Sequence, residues 1–359
     1  MSTLQISLVI LGGLILAIVV AHSAWSARKN LPMQPTPDPV ATAIEPTVGD
    51  VMPDGGNGQP ERLEPGFVGD SGLDALSALS VPEKKPGLDA LIDVIAPIVI
   101  DSVVSGEAAL AAMPGSRRAG SKPFAVEGLS LATGAWETPA PGQRYSAFQA
   151  GVQLANRTGA LNQIEFSEFV MKAQAFADAI DGQPEFPDML DEVARARELD
   201  SFASAHDAQL GFTLRARHTA WSPGYVHQHA AKLGFVAGSI PGRMVLPASQ
   251  SGPHAPPVLG LSFDTQAAMA EEPEQTALRE LTLALDVPQV LREEQPFVRL
   301  CEAAIALAAS MDGVIIDDQG QPIRPEAMEA IHADLEQLYN TLEERDLSAG
   351  SALGRRLFS

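Results

Sequence analysis

The stretch LRELTLALDVPQV, residues 278–290, alternates between apolar side chains and polar or small ones. Leu281, Leu283 and Leu285 share one side of an extended chain, while Thr282 and Ala284 share the other. This period of two predicts a β-strand with one buried side and one open side. Strands of this kind build antiparallel sheets that helices cover on one side only, so the sequence predicts the α+β fold class.

Segments on both sides of this stretch extend the same architecture. DAQLGFTLRA alternates in the same way, and GRMVLPA, PVLGLSFD and DGVIID are predicted to be further strands, at residues 207–216, 242–248, 257–264 and 312–317. Helical periodicity predicts helices at residues 222–238, 296–311 and 324–345. A shorter version of the order strand, helix, two strands, helix precedes them. We therefore predict two related split β-α-β modules, 88–205 and 206–347, followed by a C-terminal tail at 348–359.

The N-terminus carries a long apolar run, ISLVILGGLILAIVVAHSAW at residues 6–25, without any Asp, Glu, Lys or Arg. A helix of this length crosses the roughly 30 Å hydrocarbon layer of a bilayer. We predict a transmembrane anchor at residues 1–29. Its apolar and interfacial side chains include Ile6, Leu8, Leu14, Ile18 and Trp25.

The flanking charges predict the orientation of this anchor. Arg28 and Lys29 follow the apolar run directly, and no basic residue precedes it. The positive-inside rule places the N-terminus in the periplasm and the C-terminal body in the cytoplasm of a single-pass protein. A cleaved signal peptide is the alternative, but it has its basic residues before the apolar core. A buried core helix is a second alternative, disfavoured because the run has no polar side.

Residues 30–87 differ in composition from the rest of the chain. They are rich in Pro, Gly and acidic residues and show neither the helical nor the strand period. This composition predicts a disordered linker, with an end-to-end distance of roughly 40 Å for a coil of this length.

The overall charge and the cysteine content limit the partners and the disulfides that this protein can have. The net charge is −21 and the pI about 4.6, which argues against nucleic acid as a partner because phosphate binding needs clustered Lys and Arg. The single cysteine, Cys301, leaves no internal disulfide framework. Cys301 lies among apolar residues of a predicted helix, so we expect it to be packed and not nucleophilic.

The strongest candidate for a catalytic or metal-binding site is the carboxylate pair Asp317 and Asp318. Adjacent strand residues point to opposite sides of a sheet, and Gly320 and Pro322 follow, so a hairpin turn is the favoured interpretation over a catalytic dyad. His227 and His229 are two apart on a predicted helix and do not share a side. No nucleotide-binding or hydrolase motif is present. The sequence therefore predicts no enzyme, no metal site and no cofactor.

Several short stretches resemble the ZipA family, bacterial inner-membrane division proteins with an N-terminal anchor, a Pro-rich linker and a C-terminal α+β domain. DGVIIDDQGQPIRPEAMEAI (312–331) resembles the family's strand ending in Asp-Asp-Gln and the helix that follows it. LTLALDVP (281–288) resembles its fourth strand, and LGFVAG (233–238) the end of its first helix. VQLANRTG (152–159), in the first module, resembles its third strand.

This resemblance implies a function for the open side of the sheet. The family binds the C-terminal tail of the tubulin-like protein FtsZ there, which implies a cell division protein that tethers the division ring to the inner membrane. The matching positions are small or polar where the family has Val, Met and Phe, and they are Gly211, Thr213, Ser262, Asp264, Thr282 and Ala284. A face of small or polar side chains buries less apolar surface of a bound peptide than a face with Val, Met and Phe does. A membrane-anchored adaptor for another partner, an anchored enzyme, and peptide binding by the first module remain alternatives.

Overall fold

The structure is a computed structural model that describes residues 32–35, 87–249, 256–317 and 320–359. The predicted anchor at 1–29 and most of the predicted linker, namely 30–31 and 36–86, lie outside these residues. In the part of the chain that the structure describes, no helix has the length and apolar character that a membrane span requires.

Strands are numbered in chain order. The first module contains β1 (Asp93–Ile100), β2 (Val104–Ser105), β3 (Arg118–Ala119), β4 (Lys122–Ser130), β5 (Trp136–Glu137), β6 (Arg144–Gln153), β7 (Ala155–Asn156), β8 (Gly159–Ala160) and β9 (Gly182–Pro184). The second contains β10 (Gln209–Ala216), β11 (Val236–Ala237), β12 (Arg243–Leu246), β13 (Leu259–Ser262), β14 (Glu280–Asp286) and β15 (Gly313–Ile316).

The α-helices are α1 (Gly106–Ala112), α2 (Gln163–Ala179), α3 (Met189–His206), α4 (Pro223–Lys232), α5 (Thr265–Ala268), α6 (Pro296–Ser310), α7 (Pro325–Glu343) and α8 (Ala352–Leu357). Short 3₁₀ turns are found at Pro273–Gln275, Val287–Gln289 and Arg292–Glu294.

Each module has its own antiparallel sheet. The main path of the first is β3-β4-β6-β1-β9, while β2 pairs with β6 and β5 pairs with β4 off this path. The second runs β11-β12-β13-β14-β10-β15. In both, the module's first long strand (β1 or β10) lies between a long neighbouring strand (β6 or β14) and the module's last strand (β9 or β15). The antiparallel α+β class expected from the alternating strands is therefore observed, and the same strand order occurs twice.

Helix starts follow from local side-chain chemistry. Asn162 accepts hydrogen bonds from the backbone of Ile164 and Glu165, and Glu165 binds back to the Asn162 backbone, which completes a capping box at the start of α2. Ser222 caps α4 and Pro223 occupies its first turn. The predicted helix at 222–238 ends earlier, at Lys232, because Gly234 adopts a left-handed φ of 89°.

Aromatic rings join each sheet to its helices. In the first module Phe148 of β6 packs on Phe176 of α2, with ring centroids 5.4 Å apart. In the second, Phe212 of β10 packs on Phe297 of α6 at 6.3 Å. These contacts bury one side of each sheet and leave the opposite side of the second sheet as a potential binding surface.

The modules are fixed to one another, and both belong to one compact unit. Arg157 of the first module binds the carboxylates of Asp207 and Asp286, with Nη2 to Oδ1 distances of 2.6 and 2.7 Å. Residues 348–359, predicted as a tail, contain helix α8 and the fully buried side chains of Leu357 and Phe358. This segment is therefore part of the core and not a free tail.

A further difference concerns the start of the predicted linker. Residues 32–34 lie against the second module, with Pro32 buried and Met33 in a β-bridge to Trp221. A segment of this length is too short to show a hydrophobic period, and its prolines match the composition of the surrounding linker. Nothing in the sequence therefore predicted this contact.

Candidate peptide-binding face

The open side of the second sheet is organised in two rows of directly opposed residues. Opposed residues of antiparallel strands project to the same side, so the pairing assigns the rows. We call these two rows the open face. The first row contains Val236, Val245, Gly260, Ala284 and Gly211, and the second contains Arg243, Ser262, Thr282 and Thr213.

The centre of the open face is free of covering side chains among the described residues. A Cβ placed on Gly211 comes no closer than 3.8 Å to another atom, and one placed on Gly260 no closer than 3.9 Å. Ala284, between these glycines, is exposed, and Val236 at the end of the row is 51% exposed. An extended peptide can therefore approach the backbone of the sheet closely along this row.

The support beneath the open face is rigid. Leu261, Leu283 and Phe212 alternate with the open-face residues and are buried on the helix side of the sheet. Ladder hydrogen bonds tie β13, β14 and β10 together in continuous register. The face is therefore held in shape before any partner arrives, which lowers the entropy cost of binding.

Charged groups lie at the borders of the open face. Arg215 binds Glu280 on the neighbouring strand, with Nε 2.6 Å from Oε1. At the other end of β14, the carboxylate of Asp286 is held by Arg157. Arg243 is exposed at the end of the second row. The middle of the face is thus uncharged and its borders are charged, which is the usual layout of a protein-binding surface.

Five of the six residues expected to bind peptide lie on the open face. Gly211, Ala284, Thr213, Thr282 and Ser262 occupy adjacent positions in its two rows. The placement of Asp264 on the same strand is wrong. Strand β13 ends at Ser262, and the Asp264 carboxylate accepts a hydrogen bond of 2.9 Å from the Gln266 backbone, capping α5.

Sequence reasoning missed the apolar end of the first row. Val245 lies opposite Gly260, and Val236 lies opposite Val245. The alternation of buried Met244 and Leu246 with Val245 could have identified Val245. Strand β11 has only two residues and carries no period, so nothing in the sequence marked Val236.

The Asp317 carboxylate is used in a turn, as the sequence analysis favours. Its Oδ1 accepts a hydrogen bond from the Gln321 backbone at 2.8 Å, and the backbones of Ile316 and Pro322 form a β-bridge. Asp318 lies outside the described residues.

Three histidines that are close in the sequence contact different partners. His218 binds Asp312 at 2.7 Å, His227 packs edge-on against Phe263, and His229 lies over Tyr225. Among the described residues, no group of three or more His, Cys, Asp or Glu side chains is placed to hold a metal ion. Cys301 is half-buried against the core, and burial raises the pKa of its thiol, which disfavours the nucleophilic thiolate.

One buried polar cluster was not foreseen. Lys122, 1% exposed, places its Nζ 2.7 Å from Asn156 Oδ1, 3.1 Å from Thr158 Oγ1 and 3.0 Å from Ser121 Oγ. Burial lowers the pKa of Lys122, and the nearby Glu165 carboxylate opposes this effect. Because the Lys122 side chain is buried, we interpret the cluster as a structural link between β4 and the β7–β8 hairpin.

Comparison with known proteins places a family match on this part of the chain. Residues 266–334 match the family model described as ZipA, C-terminal FtsZ-binding domain. A search of curated proteins found no match. The matched segment contains β14, α6, β15 and the first part of α7. It therefore includes Thr282 and Ala284, in the middle of the open face, together with the helix that packs beneath them. This part of the chain is therefore similar to the C-terminal FtsZ-binding domain of ZipA.

Proposed function

We propose that this ZipA-like protein binds the C-terminal tail of FtsZ on the open face. The bound tail is linked to the inner membrane through the N-terminal apolar run. In this proposal the chain is a non-enzymatic adaptor in cell division, with its C-terminal body in the cytoplasm. The single observation that carries the proposal is the position of the family match. It includes β14, the strand that supplies Thr282 and Ala284 to an uncovered, uncharged face.

The chemistry of the face favours an extended peptide with apolar side chains. Gly211, Gly260 and Ala284 allow the peptide to lie close to the sheet, and Val245 and Val236 offer apolar contacts at one end. Burial of apolar area contributes about 25 cal/mol per Å². A face with few large side chains therefore gives a weak single contact.

Weak single contacts suit the proposed role. A filament presents many tails, and a membrane anchor confines the binding bodies to a thin layer. Several weak contacts then add to a strong attachment, because every contact after the first forms at high effective concentration. This mechanism needs the anchor predicted at residues 1–29 as well as the open face.

The direct test is titration of a fluorescent peptide, carrying the FtsZ C-terminal tail of the same bacterium, with the full-length protein in nanodiscs. We expect saturable binding that Ala284→Glu abolishes, since the new charge lies in the middle of the peptide path. Ala175→Glu, on an exposed position of α2, is the matched control and should bind like the parent.

Absence of saturable binding at low salt would reject the FtsZ tail as the partner. An anchored adaptor for another protein is then the favoured alternative, since the open face itself remains. The same preparation tests the anchor: recovery of the protein without lipid or detergent, as a monodisperse soluble species, contradicts the membrane part of the proposal.

A further inference from the structure

The residues that follow the predicted anchor dock on the edge of the second module. Met33 donates its backbone N–H to the Ala220 carbonyl at 2.6 Å, and its own carbonyl accepts from the Ser222 N–H at 2.9 Å. This is a parallel β-bridge to Trp221, which in turn pairs with Leu278. The Pro32 side chain is buried. The contact is therefore a short strand addition, in which backbone hydrogen bonds hold an extended segment and a side chain anchors it.

The chain is also fixed where the described residues resume, at Gly87. The Gly87 carbonyl accepts a hydrogen bond of 3.0 Å from Arg356, and the Leu88 N–H donates to the buried Glu127 carboxylate at 3.1 Å. Leu88 also packs over Gly151, where an added Cβ would come within 2.5 Å of the leucine. Residues 34 and 87 are thus both attached to the same compact unit.

We infer that the edge formed by residues 220–222 is a docking site for the chain's own segment 32–34. Docking there holds the N-terminal run next to the folded body. Residues 36–86 then connect two points of one body, and their length does not set the distance between the N-terminal run and that body. Gln34 adds a side-chain hydrogen bond to the Glu274 carbonyl, so three consecutive residues contribute to the contact.

The distance between the folded body and the membrane depends on the proposed anchor, whereas the docking of residues 32–34 does not. Trp25 ends the apolar run, and the seven residues from there to Pro32 span at most about 25 Å when fully extended. A free linker would instead allow a separation of roughly 40 Å or more. Docking therefore keeps the body at the membrane surface, with its Trp221 edge toward the lipid.

A distance measurement on the full chain tests the docking without FtsZ. Donor and acceptor dyes are placed on Asn30→Cys and on the exposed position Glu198→Cys, in a Cys301→Ser background. A Gly/Ser insertion of about 40 residues after Gly58 lengthens the segment between the attachment points. We expect the single-molecule energy transfer to stay unchanged on insertion.

Two variants are designed to release the docked segment, so that the effect of the insertion can be compared between the docked and the released chain. Met33→Pro removes the N–H that binds Ala220, and Pro32→Asp puts a charge in a buried site. In both, the same insertion should increase the mean dye separation by about a third, as expected for a coil. Pro35→Ala, just beyond the docked residues, is the control and should behave like the parent. The inference is overturned if the parent distance grows on insertion as much as in the released variants.

Discussion

Arg356 in helix α8 binds the carboxylate of Asp93, the first residue of β1, with Nη2 2.5 Å from Oδ1 and Nη1 3.0 Å from Oδ2. The Asp93 side chain is completely buried, whereas that of Arg356 is 21% exposed. The pair joins the two ends of the folded body, since Gln289 of the second module donates to the carbonyls of Arg355 in α8 and of Phe358 directly after it. This ion pair therefore links the stability of the first module to the last described helix.

Replacing Arg356 with Gln should destabilise the protein by about 3 kcal/mol, because it leaves a buried carboxylate without its cation. Chemical denaturation of the full chain measures this change. Asp93→Asn in the same chain should restore part of the loss, since the uncompensated charge is then absent. Arg117→Gln, at an exposed position, is the matched control. Equal effects of Arg356→Gln with and without Asp93→Asn would contradict the ion pair's role.

The cost of Arg356→Gln should depend on pH. Burial raises the pKa of Asp93 above its ordinary value, and the Arg356 guanidinium opposes this shift. Without Arg356 the folded-state pKa lies further above that of the unfolded chain. Stability is then greatest when both states are protonated and falls as the pH rises toward the folded-state pKa. The difference between parent and variant should be larger at pH 7 than at pH 4.5, and Asp93→Asn should remove this dependence.

Replacing Lys122 with Met should cost about 2 to 3 kcal/mol. The change keeps the length of the side chain but removes the buried ammonium group and its three hydrogen bonds, to Asn156, Thr158 and Ser121. Hydrogen bonds made by a charged group contribute about 1.5 to 3 kcal/mol. Chemical denaturation measures the loss. Lys232→Met, at the exposed end of α4, provides the control and should change stability by less than about 0.5 kcal/mol. A similar loss in both variants would show that the buried cluster has no special contribution.

The parts of this fold that sequence predicted are those governed by local periodicity. Leu281, Leu283 and Leu285 are buried and Thr282 and Ala284 are not, as the alternation indicates. The side of a strand on which a residue lies follows from a period of two, which is visible in one segment. For the same reason, the open-face positions on β10 and β14 could be identified from the sequence.

The parts that sequence did not predict depend on pairing between distant segments. Nothing local marks Val236 as the neighbour of Val245, or Met33 as the partner of Trp221. Asp93 and Arg356 are 263 residues apart, and neither belongs to a recognisable motif. Asp264 shows the opposite error. The predicted strand continues two residues beyond the observed one, and Asp264 instead caps α5, as aspartate often does.

His227 should make stability depend on pH near neutrality. Burial against Phe263 lowers the pKa of His227 below its ordinary value of 6.5. The unfolded chain therefore takes up this proton at a higher pH than the folded one. Stability falls as the pH drops from 7.5 through the unfolded-state pKa toward the folded-state pKa. The loss in melting temperature between pH 7.5 and 5.5 should be smaller in His227→Gln.

His218 offers the matched control for this measurement, because its side chain is 79% exposed. His218→Gln should retain most of the parent's decline in melting temperature between pH 7.5 and 5.5. If both variants keep the full decline, other groups produce it and the burial of His227 has no effect on stability in this range.

Gly260→Val should weaken binding of the FtsZ tail under the proposed function. The added side chain enters the free space on the open face, where a built Cβ is 3.9 Å from its nearest neighbour, and it keeps the peptide from lying close to the sheet there. A β-branched residue suits a strand, so the fold itself should be kept. Overfilling a contact of this kind costs about 1 kcal/mol or more, which is about fivefold in Kd. Peptide titration measures the change, with Gly115→Val as the control, since a Cβ there also meets open space but lies in the first module. Unchanged or stronger binding in Gly260→Val, with the parent binding intact, would place the peptide elsewhere than on this row.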